Sequence, residues 1–301
     1  MSVICSQGEH LGSVDPPDDP LKLMSSYENY TQISRVYDQT RWAVGLDLIT
    51  DGLSSACTAI EDQVLLDAGC GTGIYTAALI TRVSRIEAVD LNPAMLSVAR
   101  SKLAQGPDGG RVQFHEASIS ELPLPDNSVD SIVINQVLHH LGDDVKNDWP
   151  AHHRVLAECS RVLRPGGVIV INSCTHAQLD RGFWFYRLLP DALAAVKHRT
   201  IPLSDLDKLL RTCGLDPVKR SVDPEAVLQD EAYFRADGPL DELWRQGDSI
   251  WSLVTQNVLD AILERIEDLR SDSELDAFMR HADADRPKVG QITFSVAHKR
   301  E

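Results

Sequence analysis

The stretch that decides the fold is Val64–Ile74, VLLDAGCGTGI. A short apolar run ends in the carboxylate of Asp67, and glycines follow at 69, 71 and 73. Such a run, bounded by a glycine turn, reads as a buried strand that hands over to a helix through a loop whose backbone a ligand can approach. Outward from it the chain alternates. IEAVD (86–90), RVQFH (111–115), VDSIVIN (129–135) and GVIVIN (167–172) are further short strands, most of them rich in β-branched residues, with helix signals between them. Asn92-Pro93 supplies a cap and a first-turn proline ahead of AMLSVARSKL, and Pro165-Gly166-Gly167 is expected to end a helix running through VLAECSRVL. This alternation implies an α/β fold: a Rossmann-like, mostly parallel sheet with helices on both faces. Ligands of such sheets bind beyond the carboxyl ends of the strands, where the strand order reverses, and the glycine turn lies at such an end.

Three glycine loops compete for this turn. A P-loop requires Gly-Lys-Ser/Thr at its close, and no lysine is present here. The dinucleotide fingerprint G-x-G-x-x-G places its third glycine at position 74, which is Ile74; this chain closes one residue early. The remaining pattern, D-x-G-C-G-T-G after a buried strand, is similar to the first motif of the class I S-adenosylmethionine-dependent methyltransferases. That cofactor has no pyrophosphate, so the loop need only let the backbone come close, which a Cβ at Gly69 or Gly71 would obstruct. It carries a sulfonium and an ammonium, and Asp67 puts a carboxylate beside them. Asp90 closes the next strand 23 residues after Asp67, near the roughly 20-residue offset at which an acidic side chain meets ribose hydroxyls, and its two oxygens suit a vicinal diol. Both carboxylates also fit a simpler role as caps of the turns that follow them.

The resemblance extends from about Tyr30 to Ser173. VQFHEASISELP (112–123) looks like the segment ending the third strand, where an acidic side chain meets the adenine amino group; here Ser118 stands at that place, leaving adenine to the Ser118 hydroxyl and the Ile119 backbone. Leu91 and Met95, next to Asp90, are candidates to complete that side, Met95 fitting a place in the helix core equally well, with Cys70 in the loop as a small packing residue. DSIVINQVLHH (130–140) looks like the fourth-strand motif, with Asn135 at its tip and His139 and His140 as candidate proton acceptors. RVLRPGG (161–167) resembles the lead into the fifth strand. Tyr37-Asp38-x-x-Arg41 resembles the amino-terminal element of the ubiquinone/menaquinone and BioC-like subgroup, in which Tyr37 would close over the methionine end and Arg41 pair with its carboxylate.

After Ser173, SDLDKLL (204–210) followed by Cys213-Gly214 reads as a capped helix with a terminal glycine, leading into a strand at LDPVKRSV. QITFSVAH (291–298) is the expected last strand of a seven-stranded sheet. About 65 residues, 223–288, intervene where a hairpin would suffice, and they read as a helical lid. Most aromatics there and in GFWFYRLLP (182–190) serve to anchor helices; Trp184, Arg245 and Trp251 are the candidates for the acceptor side. The resemblance therefore implies methyl transfer from S-adenosylmethionine to a small molecule by in-line displacement, with S-adenosylhomocysteine as product. The alternatives are a cyclase or binding module on the same fold, or an arsenite methyltransferase using Cys57, Cys174 and Cys213.

Bulk properties narrow the partners. A net charge of −16 disfavours nucleic acid and anionic lipid. The six cysteines include no C-x-x-C pair, no segment shows metal-ligand spacing, and no apolar run approaches the ~18 residues of a membrane span. With no basic-then-apolar leader, a cytoplasmic setting is expected. Residues 1–26, rich in Pro, Asp, Gly and Ser, read as a mobile leader before one domain, 27–301, whose periodic apolar residues Ile33, Val36, Tyr37, Trp42, Leu46 and Ile49 suggest helix up to Leu53. The oligomeric state is open.

Overall fold

The computed structural model describes residues 42–104, 106 and 109–300. Helix α1 (Leu46–Leu53) precedes β1 (Val64–Ala68), and the glycine turn leads into α2 (Ile74–Leu79). Then come β2 (Arg85–Asp90), α3 (Pro93–Ala104), β3 (Val112–Glu116), β4 (Val129–Asn135), α4 (Pro150–Val162) and β5 (Leu163–Ser173). Three helices, α5 (His176–Arg181), α6 (Pro190–Arg199) and α7 (Leu203–Thr212), lead to β6 (Leu215–Val222). An insertion carrying α8 (Glu242–Gln246), α9 (Gln256–Ser271), α10 (Leu275–Ala282) and α11 (Arg286–Val289) separates β6 from β7 (Thr293–Lys299).

The seven strands lie in the order β3-β2-β1-β4-β5-β7-β6, parallel except for β7, which runs antiparallel to both its neighbours. Period-2 alternation divides the buried residues between two faces. Leu65, Val133 and Val170 pack with Ile49, Leu79 and Leu96, whereas Leu66, Ile132 and Ile171 pack with Val155, Leu156 and Leu206. Both faces are covered, which is why the strands are apolar throughout rather than alternating with polar residues. Sheet order reverses at β1, which pairs with β2 on one side and β4 on the other, so the crevice for a ligand opens between the tips of β1 and β4.

Several local expectations are corrected. The helix before β5 stops at Val162, because Leu163 already pairs with Val129; Pro165-Gly166-Gly167 form an irregularity inside the strand, after which Val168 pairs with Ser131. Ser204 does not cap α7, which follows Pro202 with no side-chain cap, while Gly214 does close it in the left-handed region. Trp42 lies ahead of α1 with 56% of its surface exposed; Gly45, in the left-handed region with its backbone against the Phe294 ring, breaks the periodic run there. Ile33, Val36 and the expected leader lie outside the described residues.

Candidate active site

The turn after β1 holds itself together through the tip of β2. Gly69 and Cys70 donate their backbone N–H groups to the Val89 carbonyl, at 2.8 and 3.0 Å. Asp90 then accepts from Gly71 N through Oδ2 and from Asn92 N through Oδ1, each at 2.8 Å. Asn92 caps α3 by accepting from Ala94 N at 2.9 Å. Two glycines of the turn serve different ends. Gly69 (φ 81°) lies under the Val137 side chain, where a Cβ would come within 2.5 Å of Cγ2; Gly71 (φ 54°) has nothing within 4 Å of that position and faces open space. The room expected at both positions is present only at Gly71.

Asp67 lies beneath the turn, 1% exposed. Its Oδ2 accepts from the Thr76 hydroxyl at 2.6 Å, and its Oδ1 has no hydrogen-bond partner among the described residues. Burial, reinforced by the charge of Asp90 and opposed by the Thr76 hydrogen bond, pushes the Asp67 carboxyl up to about 6. Burial also raises Asp90, against the backbone N–H groups of Asn92 and Gly71. The Cys70 thiol is driven well above its ordinary range by burial and by both carboxylates, which leaves it an inert packing group. At the tip of β4, both amide atoms of Asn135 are buried without partners among the described residues. Buried polar groups left unpaired are uncommon, and a cluster of them beside an open glycine is what a polar ligand would complete.

On the flank toward β3, Met95 and Ile119 are buried and Leu91 is partly exposed. The Ser118 hydroxyl turns back onto its own loop, 2.8 Å from the Ser120 hydroxyl. Tyr37 and Arg41 lie outside the described residues.

Beyond β4 a cavity of ≈ 70 Å³ is walled by Gln136, Leu138, His139 and His140 from the loop after β4, by Ser173 and Cys174 after β5, by Leu179, Phe183, Tyr186, Val196, Thr200 and Ile201, and by Leu228 and Gln246–Ser249 of the insertion. A cavity of about 150 Å³ accommodates benzene, so this one holds only the reactive end of an acceptor unless the 246–249 roof moves. The two histidine rings lie 4.0 Å apart. Their loop is pinned by a buried pair: Asp143 accepts from both the backbone N and Nδ1 of His152, at 2.8 and 2.9 Å. Burial raises the Asp143 carboxyl, but these hydrogen bonds prevail and hold it below its usual range.

The acceptor-side expectations are corrected in placement, since Trp184, Arg245 and Trp251 do not line this cavity. Trp184 is fully buried and donates Nε1–H to the Tyr233 carbonyl at 2.8 Å; Trp251 stacks on Phe185; Arg245 donates to the Pro239 carbonyl at 2.6 Å. All three hold the insertion together. Facing the cavity instead are Phe183, Tyr186 and Asp248, the last two joined by a hydrogen bond of 3.2 Å from the tyrosine hydroxyl. The cysteines do not gather: Cys57 abuts Gly166, and Cys174 follows the far end of β5, roughly 25 Å along the strand. Among the described residues no group of three His, Cys, Asp or Glu side chains is placed to hold a metal ion, and no helix is long and apolar enough to cross a membrane.

Residues 66–171 match the family model of a methyltransferase domain. A probable S-adenosylmethionine-dependent methyltransferase of Mycolicibacterium smegmatis is 29% identical over 201 residues, covering 66% of this chain and 69% of that protein. Relatives of the same description from Mycobacterium tuberculosis are 36% identical over 133 residues, which is only 42% of their own length. Among solved structures, a putative methyltransferase from an antibiotic biosynthesis pathway of Anabaena variabilis superposes with a TM-score of 0.66 at 21% identity, covering 87% of this chain and 99% of that one. The [4+2]-cyclase SpnF superposes at 0.55 with 15% identity, covering 92% and 97%. At these identities the structural likenesses speak for the fold alone.

Proposed function

Starting from a chain that belongs to the class I S-adenosylmethionine-dependent methyltransferases, we propose that it methylates a small molecule held between the loop after β4 and the helical insertion. The observation that carries this reading is the coincidence, at one crevice, of an open Gly71, the orphaned Asp67 Oδ1 and the orphaned Asn135 amide. S-adenosylmethionine offers groups to complete each of these: a cationic sulfonium and ammonium for Asp67, and a carboxylate and ammonium for Asn135. In this reading Asp90 receives the ribose hydroxyls on the lone pairs its backbone contacts leave, and Leu91, Met95, Ser118 and Ile119 enclose the adenine. Tyr37 and Arg41 are proposed at the methionine end.

When bound, S-adenosylmethionine supplies an electrophilic methyl on a sulfonium sulfur. The chain's own contribution is alignment and exclusion of water. The acceptor's lone pair forms the new bond to the methyl carbon, and the pair of the broken C–S bond stays on sulfur. Any proton the acceptor sheds passes to His139 or His140, which border the cavity.

The test is mass spectrometry of S-adenosylmethionine incubated with the protein and a library of hydroxyl, amine, thiol, carboxylate and activated-methylene compounds. Stoichiometric S-adenosylhomocysteine and a product one methyl heavier are expected. A product rearranged without loss of the donor's methyl would overturn methyl transfer in favour of a cyclase.

A further inference from the structure

Gln136 is the first residue past the tip of β4 and sits at φ 55°, in the left-handed region that costs a non-glycine residue about 1–2 kcal/mol. What that turn achieves is visible in the hydrogen bonds. The Gln136 backbone N donates to the Asn172 carbonyl at 2.9 Å, and its Nε2 donates to Asn172 Oδ1 at 2.7 Å. Asn172, 1% exposed, in turn donates Nδ2–H to the Tyr75 hydroxyl at 3.3 Å, and that hydroxyl donates to the Val44 carbonyl. The Tyr75 hydroxyl also accepts from the Val44 backbone N at 3.3 Å, and in this arrangement the N–H side of the Gln136 amide is committed to Asn172. Its Oε1 accepts from the Cys174 thiol at 3.7 Å and keeps a second lone pair on the wall of the cavity beside His139 and His140.

We propose that Gln136 orients the methyl acceptor by accepting a hydrogen bond from its O–H or N–H group, so that the substrate is a hydroxyl- or amine-bearing molecule with an apolar body and not a carboxylate. This deepens the methyltransferase reading above and rests on it. A carbonyl oxygen held in one orientation attracts a donor and opposes a carboxylate, which brings only lone pairs. The rest of the wall suits an apolar body: Leu138, Leu179, Phe183, Val196, Ile201 and Leu228 line it. The hydrogen bond to Oε1 also keeps one lone pair of the acceptor's oxygen or nitrogen directed away from Gln136. As that lone pair bonds to the methyl carbon and the pair of the broken C–S bond stays on sulfur, an amine gives up its second N–H proton, and a hydroxyl its one proton once it swings off Oε1, to a neighbouring imidazole and then to solvent. Asn172 acts through Gln136 as a positioning residue.

The experiment measures binding of three matched probes, 4-ethylphenol, 4-ethylaniline and 4-ethylbenzoate, to the full chain saturated with S-adenosylhomocysteine. The phenol and the aniline are expected to bind at least about tenfold tighter than the benzoate, the factor one net hydrogen bond supplies. Gln136→Met should abolish that preference while leaving S-adenosylhomocysteine affinity unchanged. Gln136→Leu, a second variant without an acceptor oxygen, should lose the preference too, and retained S-adenosylhomocysteine affinity in either variant shows that it has folded. Benzoate binding as tightly as phenol, no binding of any probe, or persistence of the preference in a folded variant overturns the proposal. Titration of S-adenosylhomocysteine into the same wild-type sample separates the two readings. If it binds and the preference is missing, only the acceptor assignment falls; if it does not bind, the methyltransferase reading falls first.

Discussion

Around the tips of β1 and β2 the cleft is made of backbone and short side chains from residues 67–76 and 90–95, whereas the cavity across β4 is walled by side chains drawn from residues 136–249. The first region buries one carboxylate, Asp67, with an oxygen unpaired and uses both oxygens of the other, Asp90, to hold the turn. The second region spends its polar groups on each other, as in Tyr186–Asp248 and Gln136–Asn172, amid apolar packing. In the proposed reading, a site for a cationic cofactor tolerates an unsatisfied carboxylate that the ligand completes. A site for a mostly apolar acceptor needs a closed shell of side chains, which only long-range packing can supply.

The sharpest way to break that contrast is to place a methyl group at each of two neighbouring glycines. Gly69→Ala should destabilise the fold by about 3 kcal/mol, from left-handed strain plus overpacking against Val137, read as a lowered denaturation midpoint. Gly71→Ala should cost the fold only about 1 kcal/mol of strain, yet weaken S-adenosylmethionine binding markedly in a calorimetric titration, because its methyl enters the ligand's space. Equal effects of the two on stability would erase the distinction.

A smaller effect concerns Asp67. Thr76→Val removes the side-chain hydrogen bond to its carboxylate while keeping that of the Thr76 backbone, at an expected cost of about 1–3 kcal/mol at pH 7.5 and less at pH 5, where the carboxyl is protonated. The sign for the wild type follows from the same group. Its folded value, about 6, lies above the ordinary aspartate value of about 4, so the folded state holds the proton more tightly, and stability declines as pH rises from about 4 to 6. Binding of a cationic ligand favours the ionised form, so S-adenosylmethionine affinity should fall as pH drops through about 6, with proton release on binding measurable by calorimetry in two buffers. Affinity flat from pH 5 to 7.5 would detach Asp67 from the ligand. The smallest effect is expected at Arg245, whose replacement by Gln should change stability by about 1 kcal/mol and leave the acceptor's KM unmoved, since among the described residues the guanidinium donates to the Pro239 carbonyl and does not line the cavity.

The same contrast explains what could be read from the sequence. All seven strands and the glycine turn were legible, because a buried parallel strand needs a short β-branched run and a turn needs glycine at fixed offsets, both of which are local. The places of Asp67 and Asp90 near the ends of β1 and β2 were legible because strand tips have a sequence signature. The acceptor side was not: Trp184 and Trp251 are large aromatics in a charged insertion, a pattern shared by core anchors and binding residues alike. Gln136 carries no signal of its own; its role depends on Asn172, 36 residues later, and on a positive φ that no neighbouring glycine announces. Thr76 is a partial exception, since a hydroxyl in the first turn after a glycine loop stands close to the preceding strand's carboxylate.

The most direct test of the central claim, that the tips of β1 and β2 grip S-adenosylmethionine, is calorimetric titration of S-adenosylhomocysteine into the wild type and into Asp90→Ala. The account predicts saturable one-to-one binding to the wild type, weakened by at least about 1–3 kcal/mol in the variant, through hydrogen bonds lost to the ligand and through loss of the Gly71 and Asn92 backbone contacts that hold the turn. Binding of equal strength to both proteins, or no binding to the wild type, would contradict it.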